Sequence, residues 1–291
     1  MLCNQCPRKC NAIRTDTDNI GGFCGMPHKA VVARAALHFW EEPSISGKNG
    51  SGTVFFSGCS LHCVFCQNSD ISTNNKGNPI SSTELSEIFK KLENQGAHNI
   101  NLVTPTHFLD VIIKALDIYK PSIPIVYNSS GYESVESLQK LKDYIDVYLL
   151  DFKYIDAEKA RLYSNAPDYP NVCKSALLEA YRQQGECLFK NGIIQKGLII
   201  RHLLMPQATK DAISIFDWVR ENTPNAYFSI MSQYIPLGQA LNMSVINRTV
   251  TAREYNKVVD YIANSNFENC YIQERSSADK NYIPDFDFTG I

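Results

Sequence analysis

Short apolar runs alternate with helical periodicity from residue 53 to the end of the chain. Seven runs are rich in β-branched and aromatic residues, which is typical of strands buried on both faces. They lie at 53–57, 99–104, 123–128, 146–152, 197–205, 226–231 and 270–274. Between them, apolar residues recur at helical spacing, as at Leu85, Ile88 and Leu92. Thr251 and Glu254 form a predicted capping box before another such stripe.

Strand and helix alternate about six times, which predicts an α/β fold with a parallel sheet and helices outside it. The pattern suits an open doubly wound sheet as well as a full or partial barrel. In both architectures, ligands bind at the carboxyl ends of the strands. Residues 58–68, GCSLHCVFCQN, directly follow the first strand. We therefore expect the chemistry of the protein at this stretch.

The overall charge excludes some classes of partner. The chain has 28 Lys+Arg and 30 Asp+Glu residues, and the formal net charge of −2 gives no electrostatic signature for nucleic acid or an anionic membrane. The first residues, MLCNQCPRKC, lack the order of a secretory signal, and no stretch approaches the roughly 18 apolar residues of a membrane span. We therefore expect a cytoplasmic protein with neither nucleic acid nor membrane as a partner.

The chain has ten cysteines, and in a reducing compartment, which disfavours disulfides, the clustered ones point to metal binding or catalysis. Seven of the ten lie in the first 66 residues. The three that are scattered singly, Cys173, Cys187 and Cys270, are expected to pack as small buried residues. Cys3, Cys6, Cys10 and Cys24 suit either a closed structural zinc or an additional [4Fe–4S] cluster, because both accept four thiolates. The basic residues at positions 8 and 9 would offset the negative charge of a cluster, which is the argument for the second interpretation.

By composition the chain divides into two parts. Residues 1–52 have cysteines, glycines and few long apolar runs, which predicts a small cysteine-rich, metal-binding N-terminal lobe. Residues 53–291 are predicted to form the α/β unit with a C-terminal tail. The tail, residues 273–291, is rich in aromatic and acidic residues. We expect it either to cover the barrel opening or to pack on the surface as an ordered strap.

Cys59, Cys63 and Cys66 are three thiols, whereas closed metal sites usually have four ligands. Three thiolates can hold three irons of a cubane cluster and leave the fourth iron open to a ligand that is not protein. An open position of this kind makes a metal site catalytic. Phe65 offers an apolar surface for a planar ring beside the cluster. Two alternatives remain at this point, namely a zinc knuckle completed by His62 or a distant residue, and cysteines that only pack.

The spacing of these cysteines, with Phe65 before the last and a strand before the first, resembles the signature of the radical S-adenosylmethionine (SAM) superfamily. The segments CNQCPRKCNAIR, NLVTPTHF, VYNSSGYES, VYLLDFKY and LIIRHLLMP are similar to pyruvate formate-lyase activating enzyme-like proteins, a group related to glycyl-radical-enzyme activases. The resemblance implies a partial (β/α)6 TIM-like barrel. It also implies a [4Fe–4S] cluster whose open iron binds SAM and whose electron cleaves it to a 5′-deoxyadenosyl radical.

The resemblance further implies contacts to SAM at the ends of later strands. The matching positions are Thr104, Thr106, Asn128, Ser129, Asp151, Lys153 and Arg201. Thr104, Pro105 and Thr106 stand where the family often has a Gly-Gly-Glu motif, so only backbone and hydroxyl contacts are expected there. The guanidinium of Arg201 suits a carboxylate. The alternative for the charged residues is ordinary salt bridges at the barrel mouth.

The implied activity is an oxidoreductase reaction under anaerobic conditions, with hydrogen abstraction from a glycine of a partner enzyme. A wider hypothesis is the same radical chemistry on a small molecule or a peptide. A hypothesis of another class is a non-catalytic iron–sulfur protein that carries electrons or senses redox state. Expected partners are SAM, a one-electron donor such as flavodoxin or ferredoxin, and a protein substrate. No residue identifies the substrate.

Overall fold

The computed structural model describes residues 2–277 and 284–291. Its N-terminal part is a three-stranded antiparallel sheet of β1 (Leu2–Cys3), β2 (Ala12–Arg14) and β3 (Asn19–Ile20). The elements that follow are β4 (Ala30–His38), α1 (Pro43–Ser46), β5 (Ser51–Phe56), α2 (Ser69–Ser72), β6 (Asn78–Ile80), α3 (Ser82–Asn94), β7 (Ile100–Val103), α4 (Leu109–Ile118), β8 (Ile125–Ser129), α5 (Val135–Lys140), β9 (Val147–Asp151), α6 (Ala157–Ser164), α7 (Tyr169–Gln184), β10 (Leu188–Lys190), β11 (Ile193–Leu203), α8 (Thr209–Asn222), β12 (Tyr227–Met231), α9 (Ala252–Ala263) and β13 (Cys270–Ile272).

The seven predicted apolar runs form one parallel sheet, in the order β5-β7-β8-β9-β11-β12-β13. Because consecutive strands are neighbours, the right-handed crossovers place the helices on one face, which is the arrangement of a barrel. No ladder joins β13 to β6 within the described parts of the chain, so the barrel is partial. The α/β prediction is confirmed, with seven parallel strands where a (β/α)6 unit has six.

The local sequence explains why these elements form. All residues of β5, β7, β8 and β9 are buried, as expected for strands covered on both faces. Helix α3 buries Leu85, Ile88 and Leu92 and begins with a capping box. The predicted box of Thr251 and Glu254 begins α9 and is confirmed. These two helices therefore start where side chains satisfy their first backbone N–H groups.

Residues 30–52 join the large sheet, although their composition groups them with the N-terminal part. Strand β4 pairs antiparallel with β5 and β6, and α1 packs against β11. The sequence analysis did not identify β4 as a strand. The division of the chain at residue 52 stays a prediction, and the small sheet β1–β3 is the part that lies apart from the large sheet.

The C-terminal tail packs along β4. The backbone N–H of Ala35 donates to the Thr289 carbonyl at 2.8 Å, and that of Phe288 donates to the Ala33 carbonyl at 3.2 Å. Phe286 is buried with its ring edge-on to Phe55. Part of the predicted tail, residues 278–283, lies outside the described residues. The remainder, residues 284–291, is an ordered strap.

Candidate active site

One cavity of about 230 Å³ joins the carboxyl ends of the parallel strands. Ten of the residues that the sequence analysis names line it: Cys59, Cys63, Phe65, Cys66, Thr104, Asn128, Ser129, Asp151, Lys153 and Arg201. Trp40 and Pro284 also line it, so the linker after β4 and the C-terminal strap contribute to its wall. The structure thus brings the three loop thiols and the ends of four later strands to one place.

The cysteine loop leaves β5 through a glycine that the turn requires. Gly58 has a φ of +80°, in the left-handed region that favours glycine. A Cβ at this position would lie 2.3 Å from Met26 Cγ and 3.0 Å from the Cys24 carbonyl oxygen. The backbone N–H of Gly58 donates to the Ile71 carbonyl at 2.7 Å. The loop therefore packs directly against the N-terminal part of the chain.

The three loop cysteines are free thiols, and each has a hydrogen-bond partner. The Leu61 N–H donates to Cys59 Sγ at 3.3 Å, the Ser164 hydroxyl donates to Cys63 Sγ at 3.0 Å, and Cys66 Sγ lies 3.2 Å from Ser72 Oγ. Such bonds stabilise thiolate ligands of a cluster and tune its potential.

Burial raises the pKa of Cys59 to about 12, and its neighbours Cys63 and Cys66 raise it further because three thiolates would repel one another. Burial raises the pKa of Cys66 as well. Three thiols in one loop become anionic together when cationic iron binds them. The donor set fits three irons of a cubane cluster and leaves the side that faces the cavity for another ligand.

Phe65 forms an apolar wall beside the loop. Its buried ring lies edge-on to Tyr163 and Tyr234, with centroid distances of 6.4 Å and 5.8 Å. The backbone on either side is tied down, because the Val64 N–H donates to the Tyr163 carbonyl and the Val64 carbonyl accepts from Ala240. This wall is held in one position.

An ion-pair network crosses the cavity from β9 to β11. Lys153 Nζ donates to Asp151 Oδ2 at 2.6 Å, and Arg201 Nε donates to Asp151 Oδ1 at 2.8 Å. Burial alone would raise the pKa of Asp151, but the attraction of Arg201 and Lys153 outweighs it and holds that pKa below its usual value. Burial lowers the pKa of Lys153, and Asp151 outweighs this and raises it. The pair is therefore charged at neutral pH.

Glu41 completes this network from the linker between β4 and α1. Its Oε2 accepts from Arg201 Nη1 at 3.0 Å, and its Oε1 accepts from Asn101 and Asn128 at 3.2 Å and 3.1 Å. Burial raises the pKa of the neighbouring Glu42, whose Oε2 lies 3.9 Å from Arg201 Nη1. The sequence analysis missed Glu41. The available signal is two adjacent acids, WEEP, after an apolar stretch that is itself a strand.

Asn128 and Ser129 lie at the end of β8, as expected. Asn128 Oδ1 accepts from Arg201 Nη2 at 2.7 Å, and Ser129 Oγ accepts from the Gly131 N–H at 3.3 Å. Both side chains are buried. Asn128 is thus a member of the charged network, whereas Ser129 belongs to the turn that follows the strand.

The two threonines after β7 have different positions. Thr104 lines the cavity with a φ of +58°, a left-handed conformation that is a genuine outlier for a β-branched residue. This explains why a glycine would suit the position. Thr106 does not line the cavity, because it is buried and its hydroxyl donates to Glu133 Oε1 at 2.7 Å. The structure therefore does not bring Thr106 together with the other predicted SAM contacts.

His62, the alternative zinc ligand, has a φ of +51° and stacks on Phe23 of the N-terminal part, with 4.6 Å between ring centroids. Arg8 lies over the same Phe23 ring at 4.0 Å, and its Nε donates to the Ser60 carbonyl at 2.7 Å. These contacts fix the cysteine loop against the segment that carries the other four cysteines.

Those four cysteines, Cys3, Cys6, Cys10 and Cys24, are all free, and Cys6 and Cys24 are buried. Burial raises the pKa of Cys6 to about 12. Across residues 2–277 and 284–291, no three His, Cys, Asp or Glu side chains are arranged around a single metal ion. The four thiols do influence one another electrostatically, since Cys3 and Cys10 both raise the pKa of Cys24, after the larger effect of burial.

A partial α/β barrel with three thiols after its first strand is an enzyme scaffold with a loop suited to an iron–sulfur cluster. Residues 53–219 match the Radical SAM superfamily, and the chain belongs to this superfamily. An uncharacterised protein of Methanocaldococcus jannaschii, MJ0674, is 32% identical over 279 residues, which cover 92% of this chain and 76% of that protein. The chain is thus an enzyme of the radical SAM type, a family that uses a [4Fe–4S] cluster and SAM.

Solved structures of Streptococcus suis SuiB share the fold. SuiB bound to SAM has a TM-score of 0.54 at 16% identity, over 74% of this chain and 48% of SuiB. SuiB bound to its precursor peptide SuiA has a TM-score of 0.53 at 14% identity, over 74% of this chain and 46% of SuiB. This chain spans about half the length of SuiB. Among the described residues, no helix is long and apolar enough to cross a membrane.

Proposed function

We propose that this protein cleaves SAM at a [4Fe–4S] cluster held by Cys59, Cys63 and Cys66, and that its substrate is a segment of polypeptide. The observation that carries the first part is that the three thiols open into the same cavity as Asp151, Lys153 and Arg201. When bound, the cluster supplies the electron that breaks the sulfonium, and the 5′-deoxyadenosyl radical removes a hydrogen atom from the substrate.

Lys153 is the residue best placed to hold the carboxylate of SAM. Its ammonium group has three N–H donors, and Asp151 uses one of them. Arg201 is more fully used, since Asp151, Glu41 and Asn128 accept from its three nitrogens. We therefore propose that Arg201 orients Asp151 and Asn128, and that Lys153 binds the carboxylate of SAM.

Phe65 and the ends of the strands give the cavity its shape. The buried ring of Phe65 offers the apolar face that an adenine ring needs next to the loop. Thr104 and Ser129 also line the cavity and can offer backbone and hydroxyl groups to the ligand. Exclusion of water from this space protects a reactive radical from side reactions.

The open side of the barrel supports a polypeptide substrate. Among the strands that the structure describes, no pairing closes the sheet between β13 and β6, and Trp40, which is 61% exposed, lines the cavity. An aromatic side chain at the rim of a cavity suits an extended peptide. SuiB, which shares the fold, has been solved with its precursor peptide. Hydrogen abstraction from a glycine of a partner enzyme is the most specific form of this proposal.

The cleavage of SAM is tested by anaerobic reconstitution with iron and sulfide, followed by dithionite and SAM. We expect 5′-deoxyadenosine, at a yield that follows the iron content of the loop site. A fully loaded protein that forms none would be a non-catalytic iron–sulfur protein, and the proposal would be wrong.

The substrate is tested with candidate peptides that carry deuterium at the glycine α-carbon. Transfer of deuterium into 5′-deoxyadenosine, measured by mass spectrometry, would identify a glycine as the hydrogen donor. Cleavage of SAM without transfer from any peptide, but with transfer from a small molecule, would contradict the peptide proposal and leave the cleavage of SAM intact.

A further inference from the structure

Cys63 differs from the other two loop cysteines in the origin of its hydrogen-bond partner. Cys59 Sγ accepts from a backbone N–H of the loop itself, and Cys66 Sγ lies beside Ser72 of α2, the helix that follows the loop. The donor to Cys63 Sγ is the hydroxyl of Ser164, which is 101 residues later in the chain and 3.0 Å away. The fold therefore places a distant side chain on one of the three sulfurs.

Ser164 is the last residue of α6, and the end of this helix is fixed against the loop. The carbonyl of Tyr163 accepts from the Val64 N–H at 2.9 Å, and Asn165 ends the helix in the left-handed conformation, with a φ of +48°. Ser164 is 1% exposed. Because its hydroxyl is shielded from water, the bond to the sulfur is stronger than the same bond at the surface.

A second buried hydroxyl, that of Tyr154, completes a chain of hydrogen bonds to Cys63. The hydroxyl oxygen of Tyr154 lies 2.7 Å from Ser164 Oγ. A serine hydroxyl has one hydrogen, and Ser164 uses it for the sulfur, so Tyr154 is the donor in this pair. Tyr154 is 3% exposed, and a phenol keeps its proton at neutral pH. The chain therefore runs from Tyr154 through Ser164 to Cys63.

The segment after β9 thus has two roles in space. Lys153 lines the main cavity and donates to Asp151, whereas the next residue, Tyr154, does not line that cavity and bonds Ser164 behind the cysteine loop. A substitution at Tyr154 can therefore change the surroundings of the Cys63 sulfur without removing a group from the cavity wall.

We infer that Tyr154 and Ser164 form a hydrogen-bond relay that raises the reduction potential of the cluster on the loop. The inference rests on the proposed function, because it needs the cluster that Cys59, Cys63 and Cys66 would hold. One electron from a donor such as flavodoxin or ferredoxin reduces the cluster and oxidises the donor, and no bond forms or breaks. The added electron makes the ligand sulfurs more negative, so an O–H donor stabilises the reduced form more than the oxidised form.

Tyr154 strengthens this effect, because a hydroxyl that accepts a hydrogen bond becomes a better donor in its own bond. Both residues are positioning residues, since they act on the cluster through the sulfur of Cys63. The relay would make the cluster easier to reduce, which is the step that precedes the cleavage of SAM.

The potential is tested by a redox titration of the reconstituted protein without SAM, followed by electron paramagnetic resonance. The loop cluster is identified as the signal that Cys63→Ala abolishes. Ser164→Ala should shift its potential to more negative values by about 59 mV or more, which is a tenfold change in the equilibrium constant of a one-electron couple. Tyr154→Phe should cause a smaller shift in the same direction, because the direct donor remains.

The relay itself is tested by combining the two substitutions. Since Tyr154 acts through Ser164, the shift caused by Tyr154→Phe should disappear in the Ser164→Ala background. Equal shifts by Tyr154→Phe in both backgrounds would overturn the relay. So would an unchanged potential in either single variant with native iron content and circular dichroism. If Ser164→Ala does not fold, Tyr154→Phe still decides, because it leaves the bond to the sulfur in place.

Tyr148→Phe, which removes a buried tyrosine hydroxyl bonded to Gln183, is the matched control and should leave the potential unchanged. The formation of 5′-deoxyadenosine is measured separately. The expected shifts in a protein that forms no 5′-deoxyadenosine would refute the proposed function and leave the relay standing. Formation of 5′-deoxyadenosine at a potential that responds to neither substitution would refute the relay alone, and a loop that binds no iron would overturn both.

Discussion

The two cysteine-rich regions of this chain both offer thiols as metal ligands, but the charges around the thiols differ. The loop of residues 58–66 faces a cavity where the cations Lys153 and Arg201 are balanced by carboxylates. The N-terminal segment of residues 2–24 lines no such cavity, and within the described part of the chain its two arginines donate to backbone carbonyls and form no ion pair. Three thiols beside a balanced cavity suit a site that admits a ligand. Four thiols close to two arginine side chains suit a closed site with four protein ligands.

The largest effect is expected from a substitution that disrupts only the loop site. Cys63→Ala removes one of the three thiolates, and no other cysteine of the loop can replace it. We expect complete loss of 5′-deoxyadenosine, measured by chromatography after reduction with SAM present, while any metal held by the four N-terminal cysteines is retained. Cys270→Ala, a half-buried cysteine on β13, is the matched control and should keep activity. Activity in Cys63→Ala would show that the loop does not hold the reactive cluster.

The next prediction tests whether the buried charges of the cavity stabilise one another. Arg201→Gln leaves Asp151 and Glu41 with less compensation in a buried site, and breaking such a network costs about 3–5 kcal/mol. We expect the free energy of unfolding in denaturant to fall by this amount, together with weaker binding of SAM. The control is Arg220→Gln, which removes a partly exposed i,i+3 pair with Asp217 and should cost less than about 1 kcal/mol. Equal costs for the two variants would mean that the cavity network is not a buried unit.

The sequence predicts most of the barrel and of the loop, but less of the cavity floor. The seven strands could be recognised because strands buried on both faces are continuous apolar runs. The strand β4 was missed because AVVARAALH contains small and charged residues, and with it the role of Glu41 was missed. Asn128, Asp151 and Arg201 lie near the carboxyl ends of strands and Lys153 follows one, so the rule that ligands bind at this edge could place them.

Other features depend on tertiary contacts that no local pattern shows. Thr106 was predicted to contact SAM, yet its hydroxyl is bound to Glu133, nearly thirty residues later in the chain. The left-handed backbone of Thr104 could not be predicted either, because threonine rarely adopts this conformation. The ion-pair network could be anticipated only as a set of charges at strand ends, because its pairing depends on the register of β9 and β11.

A smaller effect concerns Glu133, whose charge raises the pKa of Cys6, although less than burial does. Burial raises the pKa of Glu133 from 4.5 to about 7. Between these two values the folded state holds more protons than the unfolded state, so the free energy of unfolding decreases as pH rises through the window. Glu133→Gln should remove this slope, measured by denaturant unfolding at several pH values.

Metal binding at the N-terminal cysteines should shift the pH window of the unfolding measurement on Glu133. If the four N-terminal thiolates hold a metal centre of net negative charge, that charge favours the protonated form of Glu133, and the window should move to higher pH in the loaded protein than in the apoprotein. Glu87→Gln, an exposed residue of α3, is the control and should leave the slope unchanged. A window that does not respond to loading would contradict a net negative charge on that site.

The smallest effect on SAM binding is expected at two threonines of one turn, Thr104, which lines the cavity, and Thr106, which does not. Thr104→Gly relieves a left-handed conformation worth about 1–2 kcal/mol and loses about 0.5–1 kcal/mol to the greater freedom of glycine in the unfolded chain. The free energy of unfolding should therefore stay the same or rise slightly, by no more than about 1.5 kcal/mol. Thr106→Ala instead leaves buried Glu133 with one hydrogen bond fewer and should cost about 1–3 kcal/mol, with an altered pH slope.

Because Thr104 faces the cavity and Thr106 does not, the Thr104 variant should change the affinity for SAM and the Thr106 variant should not. The reverse pattern would place Thr106, and not Thr104, at the SAM site.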